Sequence, residues 1–368
     1  MKITFLMVVF NDGGIERVNV NLINQFVLNG YSVDLIIFKM INNEILKKIS
    51  EKVKIINLNS TNKIYCVFYL TLYFLKNKSK FVFADKINSL NAAVLSRIFS
   101  FSKVRLFYTQ HGNYGFWLDK RRGDKAFHVK SLRKASYSLK KSDFVIAVSR
   151  DVLDDLLVKF AFLKNKSRVI YNPIYKEEIL NNSTAIKHPW FEDKRIVFLS
   201  VGRLEEEKGY STLLRSFALC REKFPCRLIV LGEGSQRKAL EALAIELKID
   251  CDVDLYGYCA DPYSFYLQSS LFVLPSVTEG FPTVLVEAMS CGLNIVSTDC
   301  PFGPREILDN GAFGLLTPVG DVKLMADAME YQLKNGLDKK TLIDRARYFS
   351  VENSFFEYER LLNEHSIL

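Results

Sequence analysis

The sequence predicts an α/β fold of two domains, each a parallel sheet covered by helices on both faces. Three observations predict it. The chain has 368 residues, about twice a common domain size, so it is expected to divide. Short runs that are apolar throughout, such as 81–84, 144–148 and 271–274, alternate with segments of helical spacing, as strands buried on both faces do. A polar stretch at 176–194, with Asn181, Asn182, Ser183 and Thr184, interrupts the alternation midway and reads as a linker. The domains expected are residues 1–175 and 195–349.

Composition narrows the function. The apolar fraction of 49% is that of an ordinary globular protein. The seven cysteines, at 66, 220, 226, 251, 259, 291 and 300, are odd in number and form no C-x-x-C. That argues for a reducing cytosol, with neither a disulfide framework nor a zinc site. The four histidines, 111, 128, 188 and 365, are too scattered to read as a metal cluster. Residues 3–10 form an apolar run of strand length, followed by Asn11-Asp12-Gly13-Gly14 and no small-residue cleavage site, so a first buried strand is expected rather than a signal peptide. No run reaches the roughly 18 apolar residues that span a bilayer. The aromatic stretch 64–75 suits a buried or interfacial helix.

The net charge of +9 hides an asymmetry: residues 62–141 carry +14 and the remainder about −5. A solvated basic face, an anionic membrane surface and a polyanionic partner all fit such a segment. Helix-turn-helix, zinc-finger and RRM signatures are absent from the sequence, so no nucleic acid is expected.

In the first domain, strand 3–10 runs through Gly13-Gly14-Ile15-Glu16-Arg17 into a helix at 18–29. Glycines there let a backbone approach a ligand closely. Strands at 33–38, 53–58, 81–84, 104–108 and 144–149 alternate with helices at 64–75, 88–101 and 124–140. The strand at 104–108 leads into Thr109-Gln110-His111-Gly112, which places His111 at the carboxyl end of a parallel strand, where open sheets bind ligands. Lys120, Arg121 and Arg122 follow. Lys130, Arg133 and Lys134 can share one face of the basic helix.

In the second domain, a strand at 196–201 leads into Gly202-Arg203, with Lys208-Gly209 opening a helix. Two cations bracketing a strand-to-helix turn suit a diphosphate and oppose charge on a leaving group; the alternative is pairing with Glu205, Glu206 and Glu207. A strand at 227–231 ends in Gly232-Glu233-Gly234, and Tyr258 begins the loop after the next strand. The organising stretch is Thr278-Glu279-Gly280-Phe281-Pro282-Thr283, continuing to Glu287 and Met289. Pro282 suits the first turn of a helix that Gly292 ends. Glu279 then lies in a loop aimed at a helix N-terminus, which attracts phosphate, and Glu287 lies further along. Two such carboxylates would hold two parts of an extended phosphorylated ligand. Asp252 and Asp254 have the metal-binding D-x-D form but sit at the start of a strand far from this stretch, so no metal is expected.

The acid–seven residues–acid motif of Glu279 and Glu287 resembles that of the retaining family-4 glycosyltransferases of the GT-B fold. The resemblance extends to Gly13-Gly14-Ile15-Glu16-Arg17, His111-Gly112, Asn172-Pro173, the Gly-Arg-Leu-x-x-x-Lys-Gly pattern around Arg203 and Lys208 (its three intervening residues all acidic here) and Gly232-Glu233-Gly234. It implies two Rossmann-like domains facing across a cleft, with a last helix, about 350–368, packing back on the first. It implies a donor site of Gly14, Arg203, Lys208, Gly234, Tyr258, Glu279, Gly280, Phe281, Pro282, Thr283 and Glu287. Glu279 would contact the donor sugar, Glu287 the ribose, and His111, Arg203 and Lys208 would assist catalysis. Gly13, Glu16, Arg17, Lys120, Arg121, Arg122, Lys130, Arg133 and Lys134 would serve the acceptor or the membrane. The expected activity is retaining, metal-independent transfer from a nucleotide-sugar, with UDP the commonest nucleotide in the family. The acceptor expected is a polyprenyl-diphosphate-linked glycan in surface-polysaccharide assembly, at the inner face of the cytoplasmic membrane. No cofactor is expected. A soluble transferase on a small sugar and a GT-B sugar-nucleotide epimerase are the alternatives.

Overall fold

Every strand pairing among the described residues is parallel. The computed structural model describes residues 1–11, 13–120, 123–177, 188–193 and 195–366. The chain divides into one unit of Met1–Pro173 with Val351–Leu368 and another of Ile174–Ser350. Most of the expected linker, 178–187 and 194, lies outside the described residues.

The first unit runs β1 (Lys2–Phe10), α1 (Gly14–Leu28), β2 (Ser32–Met40), β3 (Lys54–Asn57), α2 (Lys63–Lys76), β4 (Phe81–Ala84), α3 (Ile87–Ser100), β5 (Arg105–Gln110), α4 (Tyr114–Lys120), α5 (Lys125–Lys141), β6 (Phe144–Ala147), α6 (Arg150–Lys159) and β7 (Ser167–Val169). Its sheet has seven strands in the order β3-β2-β1-β4-β5-β6-β7. Ile3 pairs with Val33 on one side and with Phe81 on the other. The strand order therefore reverses between β1 and β4, and ligands collect at the carboxyl ends of strands beside such a reversal.

Side chains of β1 alternate between two cores. Ile3, Phe5 and Met7 join α1 and the last helix on one face, and Leu6 joins α2, α3 and α5 on the other. Fully buried Phe26 of α1 meets Phe355 edge-on at 5.2 Å; burying one such ring is worth roughly 1.5–3 kcal/mol. The last helix, Val351–Glu364, is thereby part of the first unit's core. Caps start the helices where side chains allow: Asn62 accepts from the Tyr65 N–H, Asp124 from Phe127, and Ser149 from Val152.

The second unit runs β8 (Ile196–Val201), α7 (Tyr210–Lys223), β9 (Cys226–Leu231), α8 (Arg237–Glu246), β10 (Val253–Gly257), α9 (Tyr263–Gln268), β11 (Leu271–Leu274), α10 (Thr283–Ser290), β12 (Ile295–Thr298), α11 (Pro304–Ile307), β13 (Leu315–Thr317), α12 (Val322–Asn335) and α13 (Lys339–Arg347). The six-stranded order is β10-β9-β8-β11-β12-β13, with Leu271 opposite Phe198. Its reversal lies between β8 and β11. Phe198, Phe217, Val230, Met325 and Met329 fill the core beneath α7 and α12. Pro282 departs from expectation: at φ −70° and ψ 93° it is extended and caps α10 rather than opening its first turn.

Candidate active site

The turns after β8 and β11 flank the second unit's strand-order reversal, and the backbone locks them together. Gly209 adopts φ +66°, and a Cβ there would stand 2.1 Å from the Pro275 carbonyl oxygen. The turn carrying Lys208 thus lies directly on the turn after β11, an approach only glycine permits. Val277 donates its N–H to the Glu207 carbonyl at 2.8 Å. Across this contact Lys208 Nζ reaches Glu279 Oε1 at 2.6 Å, and Ser276 Oγ donates to the same oxygen at 2.6 Å. The pair is largely sequestered, the lysine side chain being 19% exposed and the glutamate 9%.

The loop after β12 holds Glu279 from the other side. Pro301 accepts the Glu279 N–H at 3.2 Å. Gly303, at φ +97°, packs so closely on Pro282 and Gly280 that a Cβ would lie 2.5 Å from Pro282 Cδ. The two short turns after β8 and β9 interlock likewise. A Cβ on Gly232 would sit 1.9 Å from the Gly202 carbonyl oxygen, and one on Gly234 2.3 Å from that of Leu204. The Gly-Glu-Gly sequence is explained by this backbone approach.

Other expected donor residues take varied positions. Arg203 is 71% exposed and pairs with Glu207 at 2.9 Å, one of the acidic neighbours that the sequence offered it. Exposed pairs are worth roughly 0.2–1 kcal/mol, so an arriving diphosphate can displace Glu207. Glu287 is buried on α10 and accepts from the Tyr266 hydroxyl at 3.1 Å. Tyr258 stands half-exposed after β10. Phe281 turns its ring inward against Phe349, with centroids 5.5 Å apart. Its apolar surface is therefore taken up by packing. Thr283, half-buried, begins α10.

The D-x-D carboxylates are engaged by neighbouring side chains. Asp252 meets Arg221 at 2.6 Å and Arg195 at 3.4 Å, and Asp254 meets His188 at 3.0 Å. Among the described residues no group of three His, Cys, Asp or Glu side chains is placed to hold a metal.

In the first unit, Gly13 and Gly14 carry the chain from β1 into α1. Glu16 folds back over Gly13, where a Cβ would lie 2.8 Å from its Oε2. Burial raises the Glu16 carboxyl above its ordinary pKa. Arg17 is half-buried on the next turn. His111 follows β5, and both of its ring nitrogens are buried with no hydrogen-bond partner among the described residues. Burial, aided by Lys86, lowers its pKa to about 4, so the ring is neutral at physiological pH. Lys130 and Lys134, one turn apart on α5, line the same cavity as His111. Lys130 also shares a shallow pocket with Lys125 and Arg133. Lys120 ends α4, and Arg121 and Arg122 lie outside the described residues. Ser276, Gly303 and Asp85 carry no sequence signal as site residues.

Comparisons with known proteins show the family. Residues 12–178 match the family model for Glycosyltransferase Family 4, and residues 182–349 match that for Glycosyl transferases group 1. Between them they cover nearly the whole chain, which belongs to the family-4 glycosyltransferases of the GT-B fold. One relative, an N-acetylgalactosamine-N,N'-diacetylbacillosaminyl-diphospho-undecaprenol 4-alpha-N-acetylgalactosaminyltransferase of Campylobacter jejuni, is 33% identical over 207 residues. That match spans 56% of this chain and only 55% of the relative. A second C. jejuni protein is named as an alpha-1,4-N-acetyl-D-galactosaminyltransferase acting on a diNAcBac-PP-undecaprenol-linked glycan. It is 25% identical over 99% of both chains. Among solved structures, Anabaena HepE in complex with UDP-glucose aligns over 99% of this chain and 100% of its own, with a TM-score of 0.79 at 19% identity. At that identity it supports the fold.

Proposed function

We propose that the chain is a retaining glycosyltransferase that moves a sugar from a UDP-sugar to a polyprenyl-diphosphate-linked glycan in surface-polysaccharide assembly. The observation that carries this reading is the Lys208–Glu279 pair at the second unit's strand-order reversal. One cation and one carboxylate, fixed at 2.6 Å, supply a partner for a leaving phosphate and an acceptor for sugar hydroxyls. Glu287 on α10 takes the ribose, and Arg203 swings from Glu207 to the diphosphate. The first unit holds the acceptor. Retention follows from departure and attack on one face of the sugar, with the leaving phosphate oxygen taking the acceptor proton, so no protein nucleophile is used. The C. jejuni relatives, both named for diphospho-undecaprenol-linked glycans, support the acceptor class. A screen of UDP- and GDP-sugars against synthetic lipid-diphosphate glycans, with the product anomer assigned by NMR, tests the reading. An inverted anomer rejects the retaining mechanism.

Leaving-group charge falls to Arg203, Lys208 and backbone N–H groups in this account. Transfer therefore persists in excess EDTA at close to its full rate. A rate that collapses on chelation and returns with Mg²⁺ or Mn²⁺ contradicts it.

The acceptor class calls for contact with a membrane. No helix among the described residues is long and apolar enough to cross one. One face of α2 nevertheless exposes Ile64, Phe68, Leu72 and Leu75, and α3, which packs on α2, ends in exposed Phe99 and Phe101, the last 91% exposed. Such an apolar patch marks an interaction surface. Exposed Lys63, Lys76 and Lys78 flank it. We propose that this face docks on anionic lipid, each lysine contributing about 1 kcal/mol. Changing all three to alanine is expected to lower binding to anionic vesicles about 10²-fold in a flotation assay. A wild-type protein that ignores such vesicles at low salt refutes the docking.

A further inference from the structure

The first unit contains a cavity of about 560 Å³ whose lining comes from the start of α1, the turn from β4 into α3, the end of β5 with the turn after it, and from α4 and α5. It therefore opens at the carboxyl ends of the strands where the order reverses, and its size is that of a small-molecule site. Asp85, directly after β4, is one of its lining residues. The residue is 7% exposed. Its Oδ1 accepts from the Val8 N–H at 3.3 Å and from Ser89 Oγ at 2.9 Å. Its Oδ2 is buried with no hydrogen-bond partner among the described residues, and the same holds for both ring nitrogens of His111, which lines the same cavity. Three buried polar atoms without a protein partner among the described residues gather at one cavity, where they hold hydrogen-bonding capacity for a polar molecule that enters it.

The chemistry of the lining selects that ligand. A carboxylate oxygen accepts from a hydroxyl but repels an anion. A neutral imidazole accepts one hydrogen bond and donates another. The Tyr114 and Trp117 rings, stacked at 5.8 Å, and Phe127, edge-on to Trp117 at 5.7 Å, offer apolar surface to the C–H face of a sugar. Lys130 and Lys134 bring positive charge from α5. An uncharged polyol leaves those lysines unused, and a bare phosphate meets Asp85. A sugar bearing a diphosphate satisfies both ends.

We propose that Asp85 is an acceptor-binding residue: its Oδ2 accepts a hydroxyl of the acceptor's sugar within this cavity, while Lys130 and Lys134 take the diphosphate. This rests on the reading of the first unit as the acceptor site. Burial pushes the Asp85 carboxyl up to about 6, with Lys86 opposing and Glu16 adding to the shift. The other ionisable groups at the cavity are His111, Tyr108, Tyr114, Lys130 and Lys134. Because the folded pKa exceeds the unfolded value of 3.8, the carboxylate destabilises the fold fully above pH 6, and the effect disappears as pH falls towards 3.8.

The test is Asp85→Asn in the full chain, which keeps Oδ1 and replaces Oδ2 with an N–H donor. Binding of an α-linked N-acetylhexosaminyl diphosphate is measured by calorimetry, with inorganic diphosphate as the control. Wild type should prefer the glycosyl diphosphate, and Asp85→Asn should weaken its binding about 10–100-fold while leaving inorganic diphosphate unchanged. The variant's Tm should rise by a few degrees at pH 7.5 and match wild type near pH 4. Equal binding by variant and wild type overturns the proposal. So does an equal affinity of wild type for inorganic diphosphate, or a lowered Tm with weakened UDP binding. Binding without any transfer would defeat the transferase reading alone, and transfer indifferent to Asp85→Asn would defeat this inference alone.

Discussion

Replacing Glu279 with glutamine lowers the transfer rate about 10²–10³-fold and leaves the protein folded. That is the size of effect seen when one preorganised group facing the reacting centre is removed. Both side-chain hydrogen bonds of Glu279 among the described residues fall on Oε1, from Lys208 and Ser276, so in the proposed reading Oε2 is the oxygen that meets the donor sugar. Glutamine keeps the shape and an oxygen for Lys208, but loses the charge and places an N–H group where one of the carboxylate oxygens stood. Single-turnover rates with saturating donor, together with a thermal melt, separate lost chemistry from lost folding. Turnover near that of wild type removes Glu279 from the catalytic account. Glu287→Ala, by contrast, is expected to act mainly through weaker UDP binding.

Lys208→Met produces the second large effect, and it moves stability as well as rate. The substitution strands the Glu279 carboxylate, 9% exposed, with Ser276 as its remaining partner. Breaking a fully buried pair costs roughly 3–5 kcal/mol; the partial exposure of Lys208 reduces this to about 1–3 kcal/mol. Adding Glu279→Gln removes the stranded charge, so Lys208→Met/Glu279→Gln recovers most of the lost stability. It recovers none of the transfer, because the phosphate has lost one of its two cations and the sugar has lost the Glu279 carboxylate. Denaturant midpoints and transfer rates for the four proteins complete a double-mutant cycle. A double variant as unstable as Lys208→Met shows that the stability loss is not electrostatic. Recovery of transfer in the double variant shows that Lys208 serves only to neutralise Glu279.

Why some of this was legible and some was not has physical causes. Phe81–Ala84 and Leu271–Leu274 announce themselves because a strand buried on both faces is apolar at every position. The helix Lys339–Arg347 does not, because Leu342 and Ala346 are its buried residues in an otherwise charged segment, too sparse a pattern for a helical period to stand out. Glu279 was found through its motif, whereas its bond to Lys208 joins residues 71 positions apart and depends on Gly209 lying against Pro275. Arg203 pairs with Glu207, four residues on, through a turn that is not helical at Arg203, a contact that sequence spacing allows but does not select. Phe281 sits inside the motif yet spends its ring on the core. Asp85 is one acid after a four-residue strand, and its missing partner appears only once β1, β4 and β5 are assembled.

Release of nucleoside diphosphate from the donor, with and without a synthetic polyprenyl-diphosphate glycan, tests the central claim most directly when product mass is followed in parallel. The account predicts release that rises steeply on adding the acceptor, with the lipid-linked glycan gaining the mass of one sugar for each nucleotide freed. Nucleotide release indifferent to every lipid-linked acceptor, with no gain in acceptor mass, would contradict it.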